Sequence, residues 1–216
     1  MGARVLVVGG SPQGASPEVV RRAAQGCDAV VAVDRGLDAV LAAGLICDLF
    51  CGDADTVSAE GAALVARAVA EGCFEVERYD PHKDFTDLSL ALRAIGARWP
   101  GATLCATCLS GGRPDHLLGV LGRLVSWGGA VEIVEDAFRG RVLRAGETWG
   151  IEGARGRTFS FVPLAPGTRV SLAGMRWNLD DAPVGCLSDL GISNVVEDSP
   201  ARVACDFGAI ACWLFD

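Results

Sequence analysis

The sequence predicts an α/β protein: an N-terminal, mostly parallel sheet with helices on both faces, followed by a small C-terminal antiparallel β-sandwich. Two observations carry this expectation. Short apolar, strand-like runs alternate with helix-like segments over roughly the first two-thirds of the chain, the rhythm of βαβ units. Near residue 138 helical periodicity stops, and short β-prone runs separated by Gly, Pro and Asp take over. The expected domains are therefore 1–137 and 138–216.

The elements follow in order. Residues 4–8 form a short apolar run that stops at Gly9-Gly10 and reads as a buried strand. Ser16-Pro17-Glu18 reads as a helix start, with a capping hydroxyl, a Pro at the first helical position and an acid in the first turn. Residues 29–33 give the next strand, and 34–43 a helix closed by Gly44. A third strand over 48–51 runs into Gly52-Asp53-Ala54-Asp55, and the Ala-rich stretch 58–71 is helical. A strand over 74–79 precedes a helix that starts at Asp84 or Thr86 and ends near Trp99. A strand over 102–109, a helix over 115–127 and a strand over 131–134 complete the first domain. In the second, strands are expected at 141–143, 158–162, 169–172, 194–196, 202–205 and 209–214.

Composition excludes several classes. Of 216 residues 50% are hydrophobic and 21% charged, enough apolar surface to bury a core and too much for a disordered chain. No apolar run reaches the ~18 residues of a membrane-spanning helix. Residues 1–10 lack the basic start and long apolar stretch of a secretion leader. Net charge is -8, which argues against a general affinity for nucleic acid or an anionic membrane surface. The 9 cysteines, an odd number, fit reduced thiols in a cytoplasmic protein. Cys105 and Cys108 form a lone C-x-x-C with no second pair at ligand spacing, so most of the cysteines read as small buried hydrophobes.

The chemistry-bearing residues gather at strand ends. Asp34 ends the second strand, and Asp53 and Asp55 follow the third. Asp84 and Asp87 open the helix after the fourth, and Asp115 opens the helix after the fifth. In a parallel sheet these loops share one edge, where ligands bind. Any one of these Asp residues alone reads as a helix cap or turn residue. As a set, crowded carboxylates repel unless a cation bridges them, and hard oxygen ligands suit Mg²⁺ bound together with substrate phosphates. Gly111-Gly112-Arg113 forms a second candidate: glycines admit a phosphate to backbone N–H groups, and Arg is a permanent forked cation. A plain turn with a surface Arg is the simpler alternative. Lys83, the chain's single Lys, and Thr86 form a third, as a point charge for phosphate and a helix cap or oxygen contact. There is no G-x-x-x-x-G-K-[ST] loop, no G-x-G-x-x-G spacing and no G-x-S-x-G elbow. In the β-rich half, Trp177 could stack on a cationic heteroaromatic ring, with Ser193 and Asn194 as hydrogen-bonding partners; a core aromatic is the plainer reading of Trp177.

Taken in order, these segments resemble the thiamine pyrophosphokinase family (thiamine diphosphokinases). The resemblance rests on Asp34-Arg35-Gly36, residues 48–56, Lys83-Asp84-Phe85-Thr86-Asp87, residues 111–116, residues 174–179 and residues 191–194. It spans nearly the whole chain, and the order and spacing of the short motifs make it specific. It implies pyrophosphoryl transfer from ATP to the primary hydroxyl of thiamine with Mg²⁺, releasing AMP. It also implies a homodimer with thiamine held between subunits.

Residue by residue, the resemblance makes Asp53 and Asp55 metal and phosphate carboxylates and Thr86 and Asp87 the pair beside the diphosphate. Arg113 and Asp115 match the glycine-rich motif, and Asp34 matches the acid of an Asp-Gly-Gly segment. Asp87 is the further expected metal ligand; Lys83, Asp84, Gly111 and Gly112 are expected around the nucleotide, and Trp177, Ser193 and Asn194 around thiamine. Arg113 and Lys83 would add charge, and either Asp87 or Asp115 could accept the hydroxyl proton. The sequence departs from the family at Arg35, Ala54, Thr56 and Val120, where a Gly, a bulky aromatic, a Ser and an Asn are usual. Two other readings keep part of this picture: a pyrophosphokinase of a pterin-type alcohol, and a catalytically silent thiamine- or nucleotide-binding regulator.

Overall fold

The computed structural model describes residues 2–79 and 84–216. The chain divides into two compact units, one of residues up to Arg123 with Trp127–Asp136, the other of Leu124–Ser126 with Ala137–Asp216.

In the first unit the elements run β1 (Arg4–Val8), α1 (Pro17–Ala23), β2 (Ala29–Val33), α2 (Gly36–Ala42), β3 (Leu49–Gly52) and α3 (Ala59–Glu71). They continue with β4 (Glu75–Arg78), α4 (Asp87–Arg98), β5 (Thr103–Thr107), α5 (Pro114–Val125) and β6 (Val131–Val134). The sheet order is β6-β5-β1-β2-β3-β4, with every neighbouring pair parallel. The strands RVLVV and AVVAV are nearly all apolar because both faces of a parallel sheet are covered. Leu6, Val8, Ala32, Phe50 and Cys105 share one core with Val20 and Ala23 of α1, Leu37 and Val40 of α2 and Val65 of α3. The alternate residues Val5, Val7, Val31, Leu49 and Leu104 are buried on the other face, where α4 lies over β2 and β3.

The chain reverses direction across the sheet between β4 and β5, because β5 returns to the far side of β1. With right-handed crossovers this change of direction moves the connecting helix to the opposite face. It also leaves a crevice beyond the ends of β1 and β5, where the loops diverge.

Helix starts follow local chemistry, with one correction. Ser58 caps α3 by accepting from Gly61 N–H at 3.1 Å, and Thr86 caps α4 by accepting from Ser89 N–H at 3.3 Å. Ser16 stands at the start of α1 as expected, but its hydroxyl makes no cap; it donates to Asp136 Oδ1 at 2.5 Å. Ser58 Oγ likewise donates to a carboxylate, Asp38 Oδ1 at 2.5 Å, and keeps its cap, so the missing cap at Ser16 comes from where its oxygen is held and not from competition for the hydroxyl. The fifth helix starts at Pro114, one residue before the expected Asp115.

The second unit is antiparallel. It comprises β7 (Phe138–Arg144), β8 (Thr148–Ile151), β9 (Thr158–Pro163), β10 (Arg169–Ala173), β11 (Leu179–Pro183), β12 (Asn194–Val195), β13 (Ala201–Phe207) and β14 (Ala209–Phe215). Strands β12-β9-β14-β7 lie side by side, and β11-β10-β13-β8 form a 4-stranded sheet. Phe159, Phe161, Ile210 and Leu214 from the first group share a core with Trp149, Ile151, Val170, Leu172 and Val203 from the second, which makes a sandwich.

Strands β8 and β11 were not expected from the sequence. The first is short and contains Gly150; the second, LDDAP, is a mostly exposed edge strand with no apolar face to betray it. It is held instead by Arg169 Nε donating to Asp181 Oδ1 at 2.6 Å. The first strand of this unit starts at Phe138 rather than 141. All 9 cysteines are free thiols, and Cys105 and Cys108 are both buried.

Candidate active site

The carboxylates are brought together by backbone geometry at the ends of β2 and β3. Asp34 follows β2 with φ 47°, and Ala54 follows β3 with φ 67°; both sit in the left-handed region that ordinary residues avoid. Such strain persists where surrounding contacts over-determine it, and it clusters at functional sites. Here the Asp34 N–H donates to Cys51 C=O at 3.0 Å, locking Asp34 to the end of β3. Gly52 is the close-approach point: a Cβ there would lie 1.8 Å from Asp34 Oδ1 and 2.6 Å from its Cγ. Only glycine lets the Asp34 carboxylate lie against the β3 backbone.

Asp53 is half-buried, and its Oδ1 accepts from Asp55 N–H at 3.0 Å, a tight turn that leaves Asp55 exposed. Asp87 stands at the first position of α4, directly after the Thr86 cap. Burial, then the charges of Asp87 and Asp53, push the Asp34 carboxyl up to about 7, against a downward pull from the Ala54 N–H. Asp34, Asp53 and Asp87, delivered from β2, β3 and α4, therefore form one electrostatic group.

Among the described residues, no group of three or more His, Cys, Asp or Glu side chains is arranged to hold a metal ion. The donor chemistry nevertheless suits Mg²⁺, which keeps several waters and takes one or two carboxylates alongside substrate phosphates. Asp34 Oδ1 is buried with no hydrogen-bond partner among the described residues. A buried acceptor in that condition is costly, and a cation nearby would relieve it.

The doubled glycine segment lies at the β1/β5 crevice. Gly111 and Gly112 have φ 99° and 73°. Arg113 and Asp115 are both exposed and paired, Nε to Oδ1 at 3.1 Å and Nη2 to Oδ2 at 2.5 Å. Arg113 holds the Asp115 carboxyl down at about 2. An exposed pair of this kind is weak and can open for a phosphate.

The loop after β1 packs against this segment. Ser11 N–H donates to Cys108 C=O at 3.1 Å, and its hydroxyl donates to Ser110 C=O at 2.5 Å. Gly9 makes the approach possible, since a Cβ there would lie 2.6 Å from Cys108 O. Sequence reasoning missed this loop as part of the site; Gly9-Gly10 ending the first strand was the available signal.

Arg35, a departure from the family pattern, does not crowd its turn. It adopts right-handed helical geometry at the start of α2, is exposed, and points Nε to Thr56 C=O at 3.4 Å. Nothing at that residue requires glycine. Asp84 and Thr86 are exposed beside Asp87. Lys83 and His82 lie outside the described residues.

In the second unit Trp177 is 58% exposed, so the core-aromatic alternative fails. Arg176 lies 5.6 Å from its ring centroid and is itself paired to Glu197 at 2.9 Å. Asn194 is buried and engaged by backbone: its Oδ1 accepts from Trp177 N–H at 3.2 Å and Val195 N–H at 2.8 Å, and its Nδ2 donates to Trp177 C=O at 2.8 Å. In this arrangement Asn194 holds the Trp177 backbone. Ser193 is exposed and at φ 61°, and its N–H donates to Ser160 Oγ at 3.0 Å.

Fold and site together define a class: a doubly wound α/β unit with carboxylates and a glycine-rich loop along one sheet edge, carried on one chain with an antiparallel β-sandwich. Family models place it further. Residues 20–134 match the thiamin pyrophosphokinase catalytic domain, and residues 151–210 match the thiamin pyrophosphokinase vitamin B1 binding domain. The chain belongs to the thiamin pyrophosphokinase family.

Among solved structures it is similar to thiamin pyrophosphokinase from Geobacillus thermodenitrificans, 27% identical, with 99% of this chain and 97% of that one covered and a TM-score of 0.78. Thiamine pyrophosphokinase from Bacillus subtilis, 23% identical, covers 98% of both chains with a TM-score of 0.81. Thiamin pyrophosphokinase from Candida albicans, 13% identical, covers 99% of this chain and 90% of that one with a TM-score of 0.79. The last two likenesses concern the fold alone. No curated relative matches the sequence.

Proposed function

We propose that the protein is a thiamine diphosphokinase, transferring pyrophosphate from ATP to the primary hydroxyl of thiamine to give thiamine diphosphate and AMP. The observation that carries this reading is the pair of family matches in chain order, catalytic then vitamin B1 binding. The grouping of Asp34, Asp53 and Asp87 supports it.

In this reading Asp53, Asp55 and Asp87 are the carboxylates that would hold Mg²⁺ together with the ATP phosphates, and Asp34 adds negative potential beside them. Bound Mg²⁺ would supply positive charge to the ATP phosphate oxygens. Arg113 leaves its exposed pairing with Asp115 to bind a phosphate, and Gly111 and Gly112 let that phosphate approach the backbone. Lys83 adds a second cation, and Asp84 and Thr86 flank the diphosphate. Asp87 or Asp115 takes the proton released from the thiamine hydroxyl. Trp177 stacks on the cationic thiamine ring, Ser193 hydrogen-bonds it, and Asn194 fixes the Trp177 backbone. Positioning and charge complementarity do most of the work, as phosphoryl-type transfers require.

The proposal includes a homodimer with thiamine held between subunits, working in the cytoplasm where ATP and Mg²⁺ are supplied. The domains are taken as 1–137 for ATP and Mg²⁺ and 138–216 for thiamine. No helix among the described residues is long and apolar enough to cross a membrane.

AMP release from ATP and thiamine, wild type against Asp53→Asn, tests the assignment. The wild type should turn over and the variant, still folded, should not. Full activity in Asp53→Asn would remove the metal-site assignment.

A further inference from the structure

Glu135, one residue past β6, is a carboxylate with 5% of its surface exposed, and the proposed chemistry gives it no part. Among the described residues its hydrogen-bond partners are backbone N–H groups and not a cation. Its Oε2 accepts from Cys108 N–H at 3.2 Å, and its Oε1 accepts from Leu109 N–H at 2.9 Å and Ser110 N–H at 3.2 Å. Successive backbone N–H groups converging on one point form an anion-binding concavity. Here that concavity is filled by the protein's own carboxylate.

We infer that Glu135 is a positioning residue that sets the loop between β5 and α5 for binding the phosphates of a nucleoside triphosphate. The inference rests on the proposed reading of the site, in which Gly111, Gly112 and Arg113 meet those phosphates. Three features of the geometry lead to it. The amides of 108–110 are consumed by Glu135, so an incoming phosphate meets the next stretch, 111–113. Cys108 itself is at φ 55°, a conformation that the Glu135 contacts help to hold. The segment that Glu135 grips also carries the loop after β1, through Ser11 N–H to Cys108 C=O and Ser11 Oγ to Ser110 C=O. Asp136, the next residue, secures the far end of that same loop by accepting from Ser16 N–H at 2.8 Å and Ser16 Oγ at 2.5 Å. Two adjacent acids after β6 thus fix both walls of the β1/β5 crevice.

The test uses Glu135→Gln, which keeps the shape but turns one acceptor oxygen into a donor facing an N–H. Three readouts are taken on the full chain: amide hydrogen exchange over 108–110, affinity for a non-hydrolysable ATP analogue with Mg²⁺, and affinity for thiamine. Exchange should quicken about tenfold or more and nucleotide affinity should fall about tenfold, with thiamine affinity within about twofold of wild type. Unchanged nucleotide affinity, or an equal loss for nucleotide and thiamine, would overturn the assignment. If Glu135→Gln does not fold, Ser11→Ala, which removes the Oγ–Ser110 C=O bond between the two loops and leaves the backbone bond to Cys108, should weaken analogue binding several-fold; an unchanged affinity would likewise overturn it. Nucleotide binding is read without turnover. A wild type that binds the analogue but makes no thiamine diphosphate would therefore sink the proposed activity and leave this inference standing on its own result.

Discussion

Asn194→Ala separates a positioning role from direct ligand contact. The wild-type side chain is buried and bridges Trp177 N–H and C=O at 3.2 and 2.8 Å, with a further contact to Val195 N–H at 2.8 Å. Truncation leaves the Trp177 and Val195 groups without those partners, at a net cost of about 1 kcal/mol each and more where water cannot enter. The sum is about 2–4 kcal/mol, or a fall of roughly 5–15 °C in Tm for a chain of this size. Because the lost bonds hold the backbone under Trp177, the thiamine KM should rise while the ATP KM stays put. Thermal unfolding and steady-state kinetics on the same preparation read both. A variant with wild-type Tm would refute the reasoning. A raised thiamine KM at wild-type Tm would mean that Asn194 touches the ligand instead.

Other substitutions probe the carboxylate edge. Gly52→Ala places a methyl 1.8 Å from Asp34 Oδ1, so it should displace the carboxylate and remove most activity. Overpacking of this kind costs about 1–3 kcal/mol, readable by urea unfolding; full activity would disprove the close-approach role. Thr86→Ala removes the α4 cap and should cost about 1 kcal/mol of stability, again by urea unfolding. The raised Asp34 carboxyl, near 7 when folded, means that the metal-free protein binds that proton more tightly folded than unfolded. Its stabilising contribution is present below the unfolded carboxyl range and is lost as pH rises toward 7. Unfolding in EDTA should show this decline between about pH 4 and 7, and Asp34→Asn should flatten it; an unchanged slope in the variant would rule Asp34 out as its source.

The order of strands and helices was legible because parallel strands buried on both faces are almost purely apolar and their helices start at recognisable caps. Edge strand β11 was not legible, since an exposed strand of LDDAP has no hydrophobic alternation to read. Ser16 was readable as a helix start, but its carboxylate partner, Asp136, is 120 residues away and invisible to local pattern. The acids at strand ends stood out as a set, and Asp34, Asp53 and Asp87 do lie within electrostatic reach. What the sequence could not convey is division of labour among polar residues. Asn194 reads as a ligand contact but is engaged by backbone, and Glu135 carries no motif at all. Both roles arise from tertiary closure between segments distant in the chain.

The most direct test of the central claim is end-point mass spectrometry of the purified protein with ATP, Mg²⁺ and thiamine, beside an EDTA control. The account predicts thiamine diphosphate and AMP in equal amounts, and neither with EDTA. ADP with thiamine monophosphate, or no product from folded protein that still binds thiamine, would contradict it.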